Sequence, residues 1–275
     1  MGFFAHVAVL ALFLAVSAHS ETANEIRFQY RDGLIWLKAK VPGKTASLNF
    51  LLDSGAGVSV IDLEQVHALG KRIRDPESVQ GVSGRALAYH VDDFQANCEG
   101  VALPKSLLAI NLRAISQRCH RPIDGVLGMD FFRGRIVQID FAAQRVRLLE
   151  RNSQGLADGE ILPFKICNDA FCVPVRVAEN PAQWARLDTG CDACLDWVVS
   201  KGRDRRHRMS TPGVPGAPGV MTTVQIGKQR FVVAAALHEE PMFSGEAGLL
   251  GNGLLSKFRL TIDEPGNRVI FERNR

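Results

Sequence analysis

In residues 34–41, LIWLKAKV, the apolar positions Ile35, Leu37, Ala39 and Val41 alternate with Lys38 and Lys40. A period of two predicts a strand with one buried and one wet face. The same period puts Val173, Val175 and Val177 of CVPVRVAE on one face, and it recurs over residues 222–226, followed by the apolar strand 231–237. One stretch has helical spacing instead: Leu63, Val66 and Leu69, with Asp62 placed to cap the helix and Gly70 to stop it. Strands dominate, so a mainly β fold is expected.

The pattern also repeats at long range. GVLGMDFF begins at Gly125 and GLLGNGLL at Gly248, each with an apolar pair before a glycine: Val126-Leu127-Gly128 and Leu249-Leu250-Gly251. Twelve residues beyond each glycine stands an Asp after an isoleucine, Asp140 and Asp263, and five residues later Arg-Val, Arg145-Val146 and Arg268-Val269. Each copy reads as a closing strand, a turn and a strand. Upstream of each copy lies an apolar run ending in a short triplet, Asp53-Ser54-Gly55 and Asp188-Thr189-Gly190, separated from its glycine by 75 and 63 residues. The chain is internally duplicated, and a period above a hundred residues means two related lobes rather than a solenoid. The polar, glycine-containing residues 151–162 are the expected linker.

Composition narrows the class. A net charge of +4 over 275 residues is too mild for a dedicated nucleic-acid binder, and the basic clusters at 71–74 and 201–208 read as solvated loops. Residues 1–20 carry an apolar run and then small residues, the pattern of an export signal, although no Lys or Arg precedes the run. The run is short for a membrane span. Export, to a periplasm or outside the cell, is the expectation; an anchor formed by an uncleaved signal is the alternative. In an oxidising compartment the six cysteines are expected in disulfides, Cys98 with Cys119 and the other four locally.

The triplets carry the candidate chemistry. Each Asp sits where a buried strand opens into a tight turn that glycine permits, and the Ser or Thr hydroxyl can bond an opposing turn. Two facing turns bring two carboxylates together. Such a pair shares one proton, so one member can take a proton from water while the other polarises a carbonyl.

With Asp53-Ser54-Gly55, Val126-Leu127-Gly128, Asp188-Thr189-Gly190 and Leu249-Leu250-Gly251 in place, the sequence resembles the pepsin/retropepsin-like aspartic proteases over most of residues 30–273. The resemblance implies two pseudo-symmetric β-barrel-like lobes with a cleft between them: residues 21–150, then the linker, then 163–275. It implies Asp53 and Asp188 as the catalytic pair, with Ser54, Gly55, Thr189 and Gly190 supporting them and Gly128 and Gly251 packing beside each turn. It further implies an endopeptidase acting as a monomer on extended polypeptide, with no metal or organic cofactor. A covering hairpin would come from residues 79–91, with Gly81, Val82, Ser83 and Gly84 at the tip and Tyr89 lining the cleft, packing on the core or simply exposed. A second covering loop would lie around Gly213.

Departures from that pattern are visible. Arg186 stands where Leu51 stands in the first copy, and it is expected to point to solvent or snorkel. Ser54 lacks the methyl of Thr, and Cys191 replaces Ala56 as a structural thiol. Two other readings remain open: a peptide-binding protein of the same fold with an inert cleft, and a four-thiolate zinc site or a Cys191–Cys194 redox pair in the second half.

Overall fold

Alternating strands leave hydrogen-bonding edges that must be paired, and among the described residues three large sheets and a two-stranded ribbon, Asn97–Cys98 with Val101–Ala102, pair them. The computed structural model describes residues 24–81, 84–151, 159–199 and 220–274. The proposed signal segment, most of the linker, the 201–208 cluster, Gly213, Val82 and Ser83 lie outside these residues.

The first half forms an eight-stranded sheet, in the order Gln29–Arg31, Leu34–Ala39, Leu48–Leu52, Gly125–Leu127, Val60–Asp62, Leu107–Ile110, Gly84–Val91, Arg74–Gly81. The second half forms a seven-stranded sheet: Lys165–Cys167, Ala170–Val177, Gln183–Leu187, Gly248–Leu250, Leu195–Val198, Gln229–His238, Val220–Ile226. The pairing repeats strand for strand at the centre of each sheet. Leu48–Leu52 runs parallel to Gly125–Leu127, and Gln183–Leu187 runs parallel to Gly248–Leu250. Each of those inner strands is antiparallel to the strand just beyond its triplet, Val60–Asp62 or Leu195–Val198. The duplication read from spacing is therefore a duplication of hydrogen-bond topology.

A third, six-stranded sheet takes strands from both halves. At its middle Ile136–Asp140 pairs antiparallel with Phe258–Asp263, with Gln138 opposite Thr261. Each of these two residues is the tenth after its glycine, Gly128 or Gly251, so the repeats meet about a local two-fold. Gln138 Nε2 donates to Thr261 Oγ1 at 3.2 Å, which satisfies two buried polar groups at that crossing. The expected strand–turn–strand units are both present. The residue run expected to link the halves ends in a strand, Glu160–Pro163, paired on Arg268–Arg273.

Two apolar clusters fill the interior. The larger joins Phe50, Phe94, Phe131, Phe132, Phe171, Phe258 and Phe271 across all three sheets. The smaller gathers Leu34, Trp36, Leu51, Leu112, Ile123 and Val126. Trp36 is thus buried, and the strand Leu34–Ala39 has apolar contacts on both faces, with only Lys38 exposed along it. The helix Leu63–Ala68 forms as expected, and Gly70 ends it with φ +61°. Asp62 does not cap it; its carboxylate accepts the Leu112 N–H at 2.9 Å instead, tying two loops together. The one-turn helices Met129–Phe132 and Asn252–Leu255 were not foreseen, since four residues are too few to display a period.

The expected Cys98–Cys119 pair is corrected. No cysteine is cross-linked in the structure, although the Cys167 and Cys172 side chains are in contact. Cys98 is buried in the larger cluster, whereas Cys119 packs on the smaller one, so the proposed pair is divided between two cores.

Candidate active site

Asp53 directly follows Leu48–Leu52, and its N–H donates to the Leu127 carbonyl at 2.9 Å. Asp188 follows Gln183–Leu187, and its N–H donates to the Leu250 carbonyl, also at 2.9 Å. The apolar-apolar-Gly elements thus extend the ladder to the triplets and set the height of each aspartate. Beyond them the chain must pass close under each turn. A Cβ on Gly128 would stand 2.6 Å from the Val58 backbone, and one on Gly251 would stand 2.8 Å from the Cys191 carbonyl oxygen. Only glycine fits at either place.

The two turns face each other and are cross-bonded. The Ser54 N–H donates to Thr189 Oγ1 at 2.9 Å, and the Thr189 N–H donates to Ser54 Oγ at 3.2 Å. Each hydroxyl passes its own proton to the strand behind the other turn: Ser54 Oγ to the Leu187 carbonyl at 2.7 Å, and Thr189 Oγ1 to the Leu52 carbonyl at 2.9 Å. Both side chains are fully buried. Four bonds with the same reciprocal symmetry leave little freedom for one turn to slide over the other.

That lock brings the carboxyls together. The Asp53 and Asp188 side chains hydrogen-bond each other. Neither glycine of the triplets has room for a side chain: a Cβ on Gly55 would meet the Asp188 carboxyl carbon at 2.6 Å, and one on Gly190 would collide with the Asp53 carboxyl. Burial raises the pKa of both acids. Asp188 is held well above the ordinary carboxylate value, by burial first and then by the charge of Asp53. Asp53 rises less, because its Oδ1 accepts the Gly55 N–H at 2.8 Å and the Ala56 N–H at 3.1 Å. Asp188 Oδ1 accepts the Gly190 N–H at 2.9 Å. The second N–H on Asp53 favours the ionised form of that acid.

Arg186 is the residue whose placement differs most from expectation. It is 2% exposed, not at the surface. Its guanidinium pairs with Glu246 through two bonds, Nε to Oε2 at 2.8 Å and Nη2 to Oε1 at 2.6 Å. Phe243 covers it at 3.8 Å from the ring centroid, and Nη1 donates to the Gly55 carbonyl at 2.6 Å. Beside it lies a pocket of about 260 Å³ including its open mouth, lined by Val198, Met242, Phe243, Leu249, Asp196 and the ion pair.

Several contributors were not legible in the sequence. Glu246 lies 58 residues beyond Asp188 with no motif around it. Ser59 donates to Asp130 at 2.5 Å and accepts the Gly128 N–H at 2.9 Å, steadying the loop under the first turn. Asn252, fully buried, donates from Nδ2 to the Thr189 carbonyl at 2.6 Å and to the Gly33 carbonyl at 2.8 Å.

The hairpin expected over residues 79–91 is present as Arg74–Gly81 and Gly84–Val91, with Gly81 opposite Gly84 at the edge of the eight-stranded sheet. Residues 84–87 are exposed. Tyr89 is half-buried and packs against the larger core, the packing role among the three considered. Among the described residues no three His, Cys, Asp or Glu side chains are grouped to hold an ion. The Cys191 thiol is pushed up to about 12, chiefly by burial, and Cys194 is also raised by burial, so neither is an activated thiolate.

Residues 37–131 match a family model described as aspartyl protease. The matched segment contains Asp53, Ser54, Gly55, the hairpin and Gly128, and it ends before the second triplet. No curated protein matches the chain.

Proposed function

We propose that this protein is an aspartic endopeptidase of the two-lobed pepsin/retropepsin type, in which Asp53 and Asp188 jointly activate a water against a peptide bond. The observation that carries this reading is the reciprocal bonding of two Asp-Ser/Thr-Gly turns from opposite halves of the chain, which sets two carboxyls in contact around one proton. The aspartyl protease match over the first turn supports it independently.

The second N–H accepted by Asp53 supports an assignment of roles, with the shared proton on Asp188. Asp53, the more acidic partner, is the general base that takes a proton from water. Asp188, which holds the shared proton, donates a hydrogen bond to the substrate carbonyl oxygen and polarises it. Water adds to the carbonyl carbon as its proton passes to Asp53 and the Asp188 proton passes to the carbonyl oxygen, giving a tetrahedral diol. Asp53 then gives its proton to the amide nitrogen while a diol hydroxyl returns one to Asp188, and the C–N bond breaks to release an amine and an acid with the starting protonation restored. Two carboxyls in contact cannot both ionise cheaply, so their pKa values split in any aspartic protease; the direction of the split here follows from this protein's own hydrogen bonds.

The test is cleavage of a denatured protein by Asp53→Asn and Asp188→Asn variants. Both are expected to lose cleavage while retaining the wild-type circular dichroism, and an active single variant would refute the reading. A statine-type inhibitor, which mimics the diol, is expected to bind far more tightly than a substrate peptide of the same length.

A further inference from the structure

The two turns are alike in sequence but not in surroundings. Ala56 N–H is shared between the Asp53 carboxylate at 3.1 Å and the Asp53 main-chain carbonyl at 3.3 Å. Its counterpart Cys191 N–H makes the matching main-chain bond, to the Asp188 carbonyl at 3.4 Å, and the difference between the turns is the added carboxylate bond on Asp53. The peptide unit that carries the Ala56 N–H is the one whose carbonyl, that of Gly55, accepts Arg186 Nη1 at 2.6 Å. A charged donor, one amide plane and a carboxylate thus stand in line. A peptide polarised at its oxygen by a cation is a stronger donor at its N–H. In the first half Leu51 occupies the position of Arg186, and its side chain has no donor to offer the other turn.

The geometry points to Arg186 as a positioning residue that acts on Asp53 through the Gly55–Ala56 peptide and thereby decides that Asp188 holds the shared proton. This rests on the peptidase reading for its catalytic meaning, but not for its physical content. Glu246 is part of the device: its two bonds and the covering Phe243 ring fix the guanidinium, so Nη1 stays aimed at Gly55. The field of Arg186 lowers the pKa of both aspartates, while only Asp53 has the amide link. Other titratable or charged groups against these elements include Asp169 packed on Gly57, Cys191 beside Asp188 with Asp192 next to it, Cys172 beside Arg186 and Glu246, and Asp196 across the pocket.

Two variants with opposite signs test this. Arg186→Leu combined with Glu246→Leu removes the cation without leaving a buried charge unpaired. It is expected to raise the lower carboxyl pKa of the pair by about one pH unit, read by ¹³C-carboxyl titration, and to move the acidic limb of kcat/KM by the same amount. Glu246→Gln keeps the guanidinium and removes its counter-charge, so the same value and limb are expected to move down. Folded variants in which neither value moves, or in which both move in one direction, would overturn the proposal. The Asp53→Asn control separates the two claims: if it still cleaves, the peptidase reading fails, while the carboxyl titration still judges Arg186.

Discussion

Thr189→Val isolates the cross-bonding of the turns, because valine keeps the shape of threonine and deletes only its hydrogen-bonding capacity. Thr189 is fully buried, and its Oγ1 both accepts the Ser54 N–H and donates to the Leu52 carbonyl, each at 2.9 Å. The substitution strands a buried N–H, at a cost of about 1–3 kcal/mol, and removes one bond from the carbonyl, about 0.5–1.5 kcal/mol. The extra buried methyl returns about 0.8 kcal/mol. The net loss is then about 1–4 kcal/mol, within the roughly 5–15 kcal/mol that a domain of ordinary stability possesses, so the variant folds. Urea unfolding is the assay: the midpoint is expected to fall at unchanged m. Peptide cleavage should fall as well, because the aspartates are no longer held in register. Thr45→Val, at an exposed position, supplies the control and should lie within about 0.5 kcal/mol of wild type. A Thr189→Val midpoint equal to that control would mean that the cross-bonds do not hold the turns.

Three further outcomes follow from the same geometry. Glu246→Ala leaves the Arg186 cation buried without its partner and is expected to lose about 3–5 kcal/mol in the same unfolding measurement; a loss under 1 kcal/mol (about the worth of an exposed pair) would show that the pair is solvated. Asp188 has a native pKa raised well above its ordinary 3.8, by burial first, so the folded state holds its proton more tightly than the unfolded chain does. Its contribution to stability is fully present below the unfolded value and is lost as pH rises through the native one. Asp188→Asn should therefore flatten this part of the stability–pH curve and exceed wild type on the alkaline side, and an undiminished slope would contradict that. With Cys191 near 12, only about one thiol in ten thousand is ionised at pH 8. Alkylation in the native state should be slow there, and after denaturation all six cysteines should label equally with or without reductant.

What the linear chain determined is everything that depends on spacing along a strand. The alternation at Val173, Val175 and Val177 dictates which face is buried, and all three are buried. The offsets of Gly128 and Gly251 from their Asp-Arg-Val segments dictate a repeated topology, and the registers repeat accordingly. The two triplets were visible because a tight turn after a buried strand needs its residues contiguous. What only the tertiary structure decided is what those turns meet. Arg186 looked like a surface departure from an apolar pattern, because its anion Glu246 comes from a distant loop and its acceptor Gly55 from the other half of the chain. Cys98 and Cys119 were even in number and plausible as a pair, yet packing placed them in separate cores. Asp62 had a helix to cap and a loop to hold, and the loop won. Local periodicity is a property of one segment, whereas charge pairing, thiol proximity and proton placement depend on segments brought together by folding. They are settled by desolvation and distance, which no single stretch of sequence contains.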